Sequence, residues 1–202
     1  MFINCPFDQE YLPVLRAIQF VLLACSYTPC SALQRDNAAH VRIEKIIDLM
    51  SSCRFAIHDI SRTEADSKSS LPRFNMPYEL GLFHGMARRG TRRDRQKRFL
   101  VLDRERYRYQ VFLSDIAGQD IRSHDNHPEG AIRAVRNWLN VQGGDKSLPG
   151  AKALTRNYAD FLKGLPSLLA NTQLEEDELS FADWSRFVNI WIVNSAVPAN
   201  QV

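Results

Sequence analysis

The residue order predicts an α/β fold in which a parallel sheet carries helices on both faces. Three observations carry that expectation. Short apolar runs of strand length alternate with longer stretches of helical period, five times in the first 140 or so residues. Two of those runs, "RFAIHDIS" (54–61) and "RFLVLD" (98–103), end abruptly in polar side chains. A stretch rich in Gly and closed by Pro, "QGGDKSLPG" (142–150), then reads as a linker to a different, wholly helical pattern.

Taken in order, "MFIN" (1–4) is a short apolar strand, followed by the loop "CPFDQE". "YLPVLRAIQFVLLAC" (11–25) has helical spacing, with Pro13 tolerable only in a first turn. "SYTPCSAL" (26–33) is a weaker strand, interrupted by Pro29 and so suited to a sheet edge. "HVRIEKIIDLMSSC" (40–53) sets Val41, Ile43, Ile46, Ile47, Leu49 and Met50 on one broad helical face. Residues 54–61 form a buried strand, and a helix runs from about Pro77 to Ala87. Residues 98–103 are a strand and 104–116 are expected to be helical. "GQDIRSH" (118–124) is a last short strand, and "PEGAIRAVRNWLNV" (128–141) is a helix opened by Pro128. Five strands in this alternation predict the flavodoxin-like order, with ligands outside the carboxyl ends of the strands at the switch point. The expected domain is 1–142. Residues 143–202 are read as the linker and a C-terminal extension of two or three short helices.

Composition narrows the function classes. The chain is 45% hydrophobic and 24% charged, which suits one compact domain with an appendage. Its longest apolar run, around "AIQFVLLAC" (17–25), falls short of the roughly 20 residues a membrane span needs. No cleaved signal is expected, so a cytoplasmic protein without membrane contact is the reading. Cys5, Cys25, Cys30 and Cys53 show no C-x-x-C spacing, which predicts free thiols and no metal site. Net charge is only +3, yet "RRGTRRDRQKR" (88–98) packs seven basic residues into eleven. Without interleaved aromatics that run reads as a solvated loop, and a nucleic-acid partner is not expected.

The strand ends gather polar groups. Strand one leads to Asn4, Cys5, Phe7 and Asp8, and strand two to Arg35 and Asp36. Strand three leads to His58, Asp59, Ser61 and Arg62, and the later strands to Asp103 and His124. Asp59 and Asp103 have a plainer role open to them as caps of the elements that follow. Strand alternation turns His58 away from its neighbours, which makes it a core histidine. Cys5 has no adjacent base and is not expected to be a nucleophile. "SRTE" (61–64) matches a capping box, but the run "ADSKSS" before Pro72 favours a flexible loop over the site.

Glu79, in "RFNMPYELGLFHG" (73–85), is the hard case. With Met76 as N-cap, it is the third helical residue and serves the free N–H groups and the helix dipole. The alternative is chemical: a carboxyl facing the crevice, walled by Phe74, Tyr78 and Leu82, has the raised pKa of a base or nucleophile. At a riboside site such an acid stabilises an oxocarbenium-like transition state or forms a glycosyl ester. Asn75 with Asp8 or Asp59 would hold ribose hydroxyls, and Arg62 a phosphate.

The stretch "NMPYELGLFHG" resembles the Asn-x-x-Phe/Tyr-Glu-Leu-Gly-x-Phe-x-Gly pattern of bacterial TIR-like domains (Toll/interleukin-1 receptor homology), a nucleotide-binding group. "FINCPFDQEY" is similar, more loosely, to their first strand and the acid beyond it. Nucleoside deoxyribosyltransferases share the architecture and a Glu on the same helix. The resemblance spans residues 1–140 and is specific only around Glu79. It implies cleavage of NAD⁺ at the nicotinamide–ribose bond, with NAD⁺ as substrate and no cofactor. Glu79 would be catalytic, with Asn75 at its side, and the strand ends and helix start read above add Asn4, Phe7, Asp8, Asp59, Ser61, Arg62 and Tyr78 as the expected substrate lining. It also implies an effector of antiphage immunity, working as a homo-oligomer or with an activating partner protein. "CPFDQEY" departs from the Ser/Tyr-rich loop usual there, and no sensor domain is recognisable. A deoxyribosyltransferase-like enzyme and a non-catalytic nucleotide-binding or adaptor module remain alternatives.

Overall fold

The computed structural model describes residues 1–34, 41–65, 70–142 and 147–196. Its sheet has four parallel strands in the order β1 (Phe2–Asn4), β2 (Phe55–Asp59), β3 (Arg98–Asp103) and β4 (Arg122–Ser123). Ile3 pairs with Ile57, and Ile57 with Leu100, so one row of aliphatic side chains crosses the central strands. The expected strand at 26–33 does not form. Pro29 withholds a donor beside it, and the segment contributes one parallel bridge, Cys30 with Phe2. That bridge still carries two backbone hydrogen bonds, Ile3 N–H to Cys30 O and Cys30 N–H to Met1 O, both 2.8 Å.

Six helices surround the sheet among the described residues: α1 (Leu12–Ala24), α2 (Arg42–Ser52), α3 (Asn75–Arg89), α4 (Pro128–Gln142), α5 (Ala151–Leu169) and α6 (Phe181–Ala196). Strand alternation divides the core. Ile3, Ile57, Leu100 and Leu102 face α1 and α4, whereas Phe2 and Ala56 face α2 and Phe83 of α3. Pro13 sits at the start of α1, where its missing N–H costs nothing. At the end of α2 the buried Lys97 ammonium donates to the carbonyls of Met50 and Cys53, both at 2.8 Å. It so neutralises the negative end of that helix. One residue of the basic run is therefore structural, not solvated.

Two further expectations change. Residues 104–116 are not an α-helix but two 3-10 turns, Arg108–Val111 and Ser114–Ile116. Tyr107 takes a left-handed backbone conformation (φ 61°), which no α-helix accommodates, and Arg108 is tied back to Asp103. The C-terminal helices are long, 19 and 16 residues. They continue the main core: Phe161 is fully buried against Phe20, Trp184 and Trp191. Buried Gln19 of α1 donates to the carbonyl of Phe181, and the indole of Trp184 to that of Arg16, both at 3.1 Å. The Arg16 guanidinium lies 4.4 Å over the Trp184 ring and pairs with Glu176.

Removing the ring at the centre of this layer leaves a cavity that rigid neighbours fill poorly. Phe161→Ala is expected to cost about 3–5 kcal/mol in urea-induced unfolding, although the residue lies beyond the Gly-rich linker.

Candidate active site

Glu79 is not a cap. Helix α3 begins at Asn75, with Phe74 in the N-cap position and no side-chain cap bond. Pro77 is therefore the third residue and still within the turn whose N–H groups lack helical partners. Glu79 is the fifth, past the position from which a side chain reaches back to the N-cap. It is 6% exposed, next to Leu80 and one turn before Phe83. Among the described residues its carboxyl accepts no hydrogen bond and makes no ion pair. Burial pushes its pKa up from 4.5 to about 7, against a smaller opposing pull from Arg42 at the start of α2.

Asn4 joins β1 to the same helix. Its Nδ2 donates to Met76 O in the first turn of α3 and to His58 Nδ1, each at 3.1 Å. Because Met76 O only accepts, the amide orientation is settled, and His58 Nδ1 must be unprotonated. The ring proton of His58 is then on Nε2, which is buried without a partner among the described residues. Phe2, Phe83 and Phe99 surround that ring, and burial lowers its pKa to about 3. His58 is a neutral core histidine, as alternation predicts. The other amide atom, Asn4 Oδ1, is also buried and unpaired. Two acceptors, Glu79 and Asn4 Oδ1, are thus left at the mouth of α3 without donors.

A second, sealed network lies one strand over. Asp59 Oδ2 accepts from the Tyr11 hydroxyl at 2.7 Å and from His124 Nε2 at 2.9 Å, and Oδ1 from the N–H of Ser61. Ser61 Oγ also lies 2.9 Å from His124 Nε2. The backbone N–H of Asn126 donates to His124 Nδ1, so Nε2 holds the proton. Ser, His and Asp are together here, but both partners meet the same ring nitrogen. A nucleophilic triad needs them on opposite nitrogens. All three are at most 1% exposed. Asp59 and Ser61, expected to line the substrate, instead lock the ends of β2 and β4 and are closed to a ligand. Gly130 at the start of α4 permits this closeness, since a Cβ there would lie 2.3 Å from His124 O.

The remaining candidates are at the rim. Arg62 pairs with Asp8 at 3.2 Å and Glu10 at 2.6 Å, and Asp8 also accepts from the N–H of Tyr11 ahead of α1. The phosphate contact expected of Arg62 would compete with two carboxylates already in place. Phe7 (39% exposed), Phe74 (62%) and Tyr78 (58%) lie open, so Phe74 and Tyr78 do not wall Glu79 as expected. Asn75 is exposed on the same turn. Asp103 accepts from the Arg108 guanidinium at 2.7 and 2.9 Å and from the N–H of Arg104. Its other oxygen is buried and unpaired, and burial, opposed by Arg108, raises its pKa. Burial, and then the charges of Asp59, Glu79 and Asp8, push the Cys5 thiol well above its usual pKa, which rules against a thiolate nucleophile. Arg35, Asp36 and residues 66–69 of the expected loop lie outside the described residues.

Sequence reasoning missed Tyr11 and Arg108, the donors that hold Asp59 and Asp103. Tyr11 looks from its spacing like the first apolar residue of a helix, and nothing in the run "RERYRY" singles out Arg108. Among the described residues no group of three His, Cys, Asp or Glu side chains has the arrangement of a metal site, and no helix is long and apolar enough to cross a membrane.

A buried carboxyl whose pKa is raised binds a proton in the folded chain that the unfolded chain releases. Stability from Glu79 is therefore intact below about pH 4.5 and lost as pH rises toward about 7. Glu79→Gln is expected to be more stable than the parent at about pH 8 in urea-induced unfolding, by on the order of 2–3 kcal/mol, with the gain vanishing near pH 4. No family model matches the chain, and neither a curated protein nor a solved structure does.

Proposed function

We propose that this chain is a TIR-like N-glycosidase that cleaves the nicotinamide–ribose bond of NAD⁺ or a related nucleotide, with Glu79 as the catalytic carboxylate. The observation that carries the reading is Glu79 itself. It is buried past the capping positions of α3, lacks an internal partner among the described residues, and has a pKa near neutrality. A structural acid is ordinarily paired when buried, and an unpaired one is a functional candidate. The bridge of Cys30 to the outer side of β1 supports the flavodoxin-like reading, with the second strand reduced to one pair. That order sets the switch point beside β1 and β2, where Asn4 reaches α3.

In this reaction the bond from the ribose anomeric carbon to the pyridinium nitrogen breaks, and its electron pair leaves with nicotinamide. The positive charge passes to the ribose, faced by the ionised Glu79 carboxylate. Water adds at the anomeric carbon and loses a proton, giving ADP-ribose. Asn4, as buried as Ser61, serves as a positioning residue that fastens the first turn of α3 to β1, and exposed Phe7 and Tyr78 supply rings for a base. Asp8 and Asn75 stand at the entrance, and Arg62 meets a phosphate by exchanging one anionic partner for another. Asp59 and Ser61 serve as positioning residues through His124.

Purified protein incubated with NAD⁺ is expected to release nicotinamide, followed by chromatography, at a rate that climbs with pH until Glu79 is ionised at about 7. Glu79→Gln should lower it roughly 10²–10⁴-fold while keeping the fold. Equal rates in the two proteins would refute the assignment, and base exchange on deoxynucleosides with NAD⁺ untouched would move it to the transferase reading.

A further inference from the structure

The basic run 88–98 folds against the sheet edge and lines a hollow there. A cavity of about 890 Å³ opens between the end of α3, the start of β3 and the end of α4. Arg88, Arg95 and Arg98 of the run line it, with Arg122 of β4, while Phe99 and Trp138 supply aromatic lining. Phe99 directly follows the run, and Trp138 is brought to it by folding. A second cavity, of about 690 Å³, continues past Arg122 and is lined by Arg106, Tyr107 and Arg133. Arg122 belongs to both, so the two hollows follow the two-residue edge strand β4 on either side.

Charge and exposure fit this surface to a polyanion. The side chains of Arg88 and Arg95 have no partner among the described residues. Arg98 and Arg122 each donate through Nη1 to backbone carbonyls and keep other N–H groups free. The opposing acids in the lining are Asp120 in one hollow and Asp125 in the other. Tyr107 is 67% exposed and held at φ 61°, a conformation an aromatic residue rarely adopts. That backbone holds a flat ring out at the rim of the second hollow. Each cavity alone is large enough for a nucleotide-sized ligand. Together they make a strip that one mononucleotide does not fill.

We propose that this edge binds a single-stranded nucleic acid, with the arginines along its phosphates and Tyr107 stacked on a base. The combination of a cationic groove with an exposed ring is what sequence-tolerant strand binding requires. It is independent of Glu79 and of the glycosidase reading.

A fluorescein-labelled oligothymidylate titrated with the full chain tests it by anisotropy. Binding is expected to weaken with salt, with a logarithmic slope of roughly −2 to −4, since each phosphate contact contributes about −0.7. Arg88→Glu with Arg95→Glu should weaken it at least about tenfold at physiological salt, where screening confines charge effects to about 8 Å. Arg92→Glu with Arg93→Glu alters net charge equally in the same exposed segment, outside either hollow, and should change binding less than about twofold. Tyr107→Ala should weaken it about fivefold or more. The proposal is overturned by absent binding at physiological salt, or by equal losses in the two arginine pairs. It also falls if a duplex or a nucleoside triphosphate binds as tightly as the strand, or if polyglutamate displaces the strand as readily as unlabelled oligonucleotide does.

Discussion

Three carboxyl groups are withdrawn from water at the carboxyl end of this sheet, and the way each is compensated organises everything around it. Asp59 receives donors on both oxygens, from Tyr11, His124 and the backbone of Ser61. Asp103 receives the Arg108 guanidinium on one oxygen and nothing on the other among the described residues. Glu79 receives nothing, and burial moves its proton affinity to the edge of neutrality. Desolvation of an ion is far more costly than desolvation of its neutral form, so a group without donors answers by holding its proton. Along this series the acids pass from fully paired to unpaired.

The architecture has its own logic. Tyr11 comes from the loop ahead of α1, Ser61 from the end of β2 and His124 from the end of β4. Their meeting on Asp59 ties three chain segments across the top of the sheet. Arg108 does the same for the far side, reaching Asp103, the carbonyl of Ile60 and the side chains of Thr63 and Glu64. These networks hold the strand ends rigid beside α3, where Asn4 fastens the first turn to β1. Glu79 is thus carried on a helix whose start is pinned, which is what the catalytic role proposed for it requires.

The C-terminal helices belong to the same economy of burial. A helix as apolar as α1, buried on Val14, Leu15, Ile18, Phe20, Val21 and Leu22, presents more apolar surface than the sheet and α4 cover. Helices α5 and α6 cover the remainder with Phe161, Leu165, Trp184 and Phe187. On the opposite edge the sheet ends in a strand of two residues with no such cover, and there the surface is arginine-rich. Charge on an exposed edge discourages pairing with other strands while keeping the edge open to ions.

By itself, the residue order determined the layers. Apolar period and the polar strand ends located all four strands in advance, the helices α1 to α4 and the neutral core histidine, because those depend on neighbours a few residues apart. It also singled out Glu79 from one short motif. Tertiary structure alone decided the rest. Whether Glu79 capped its helix turned on a two-residue difference in where α3 starts, which local propensity does not resolve. Whether Asp59 was a ligand or a brace turned on Tyr11 and His124, 48 and 65 positions away. The same holds for the basic run, which meets Trp138 only when α4 folds back. Desolvation and donor supply are properties of the packed chain, and no stretch of sequence contains them.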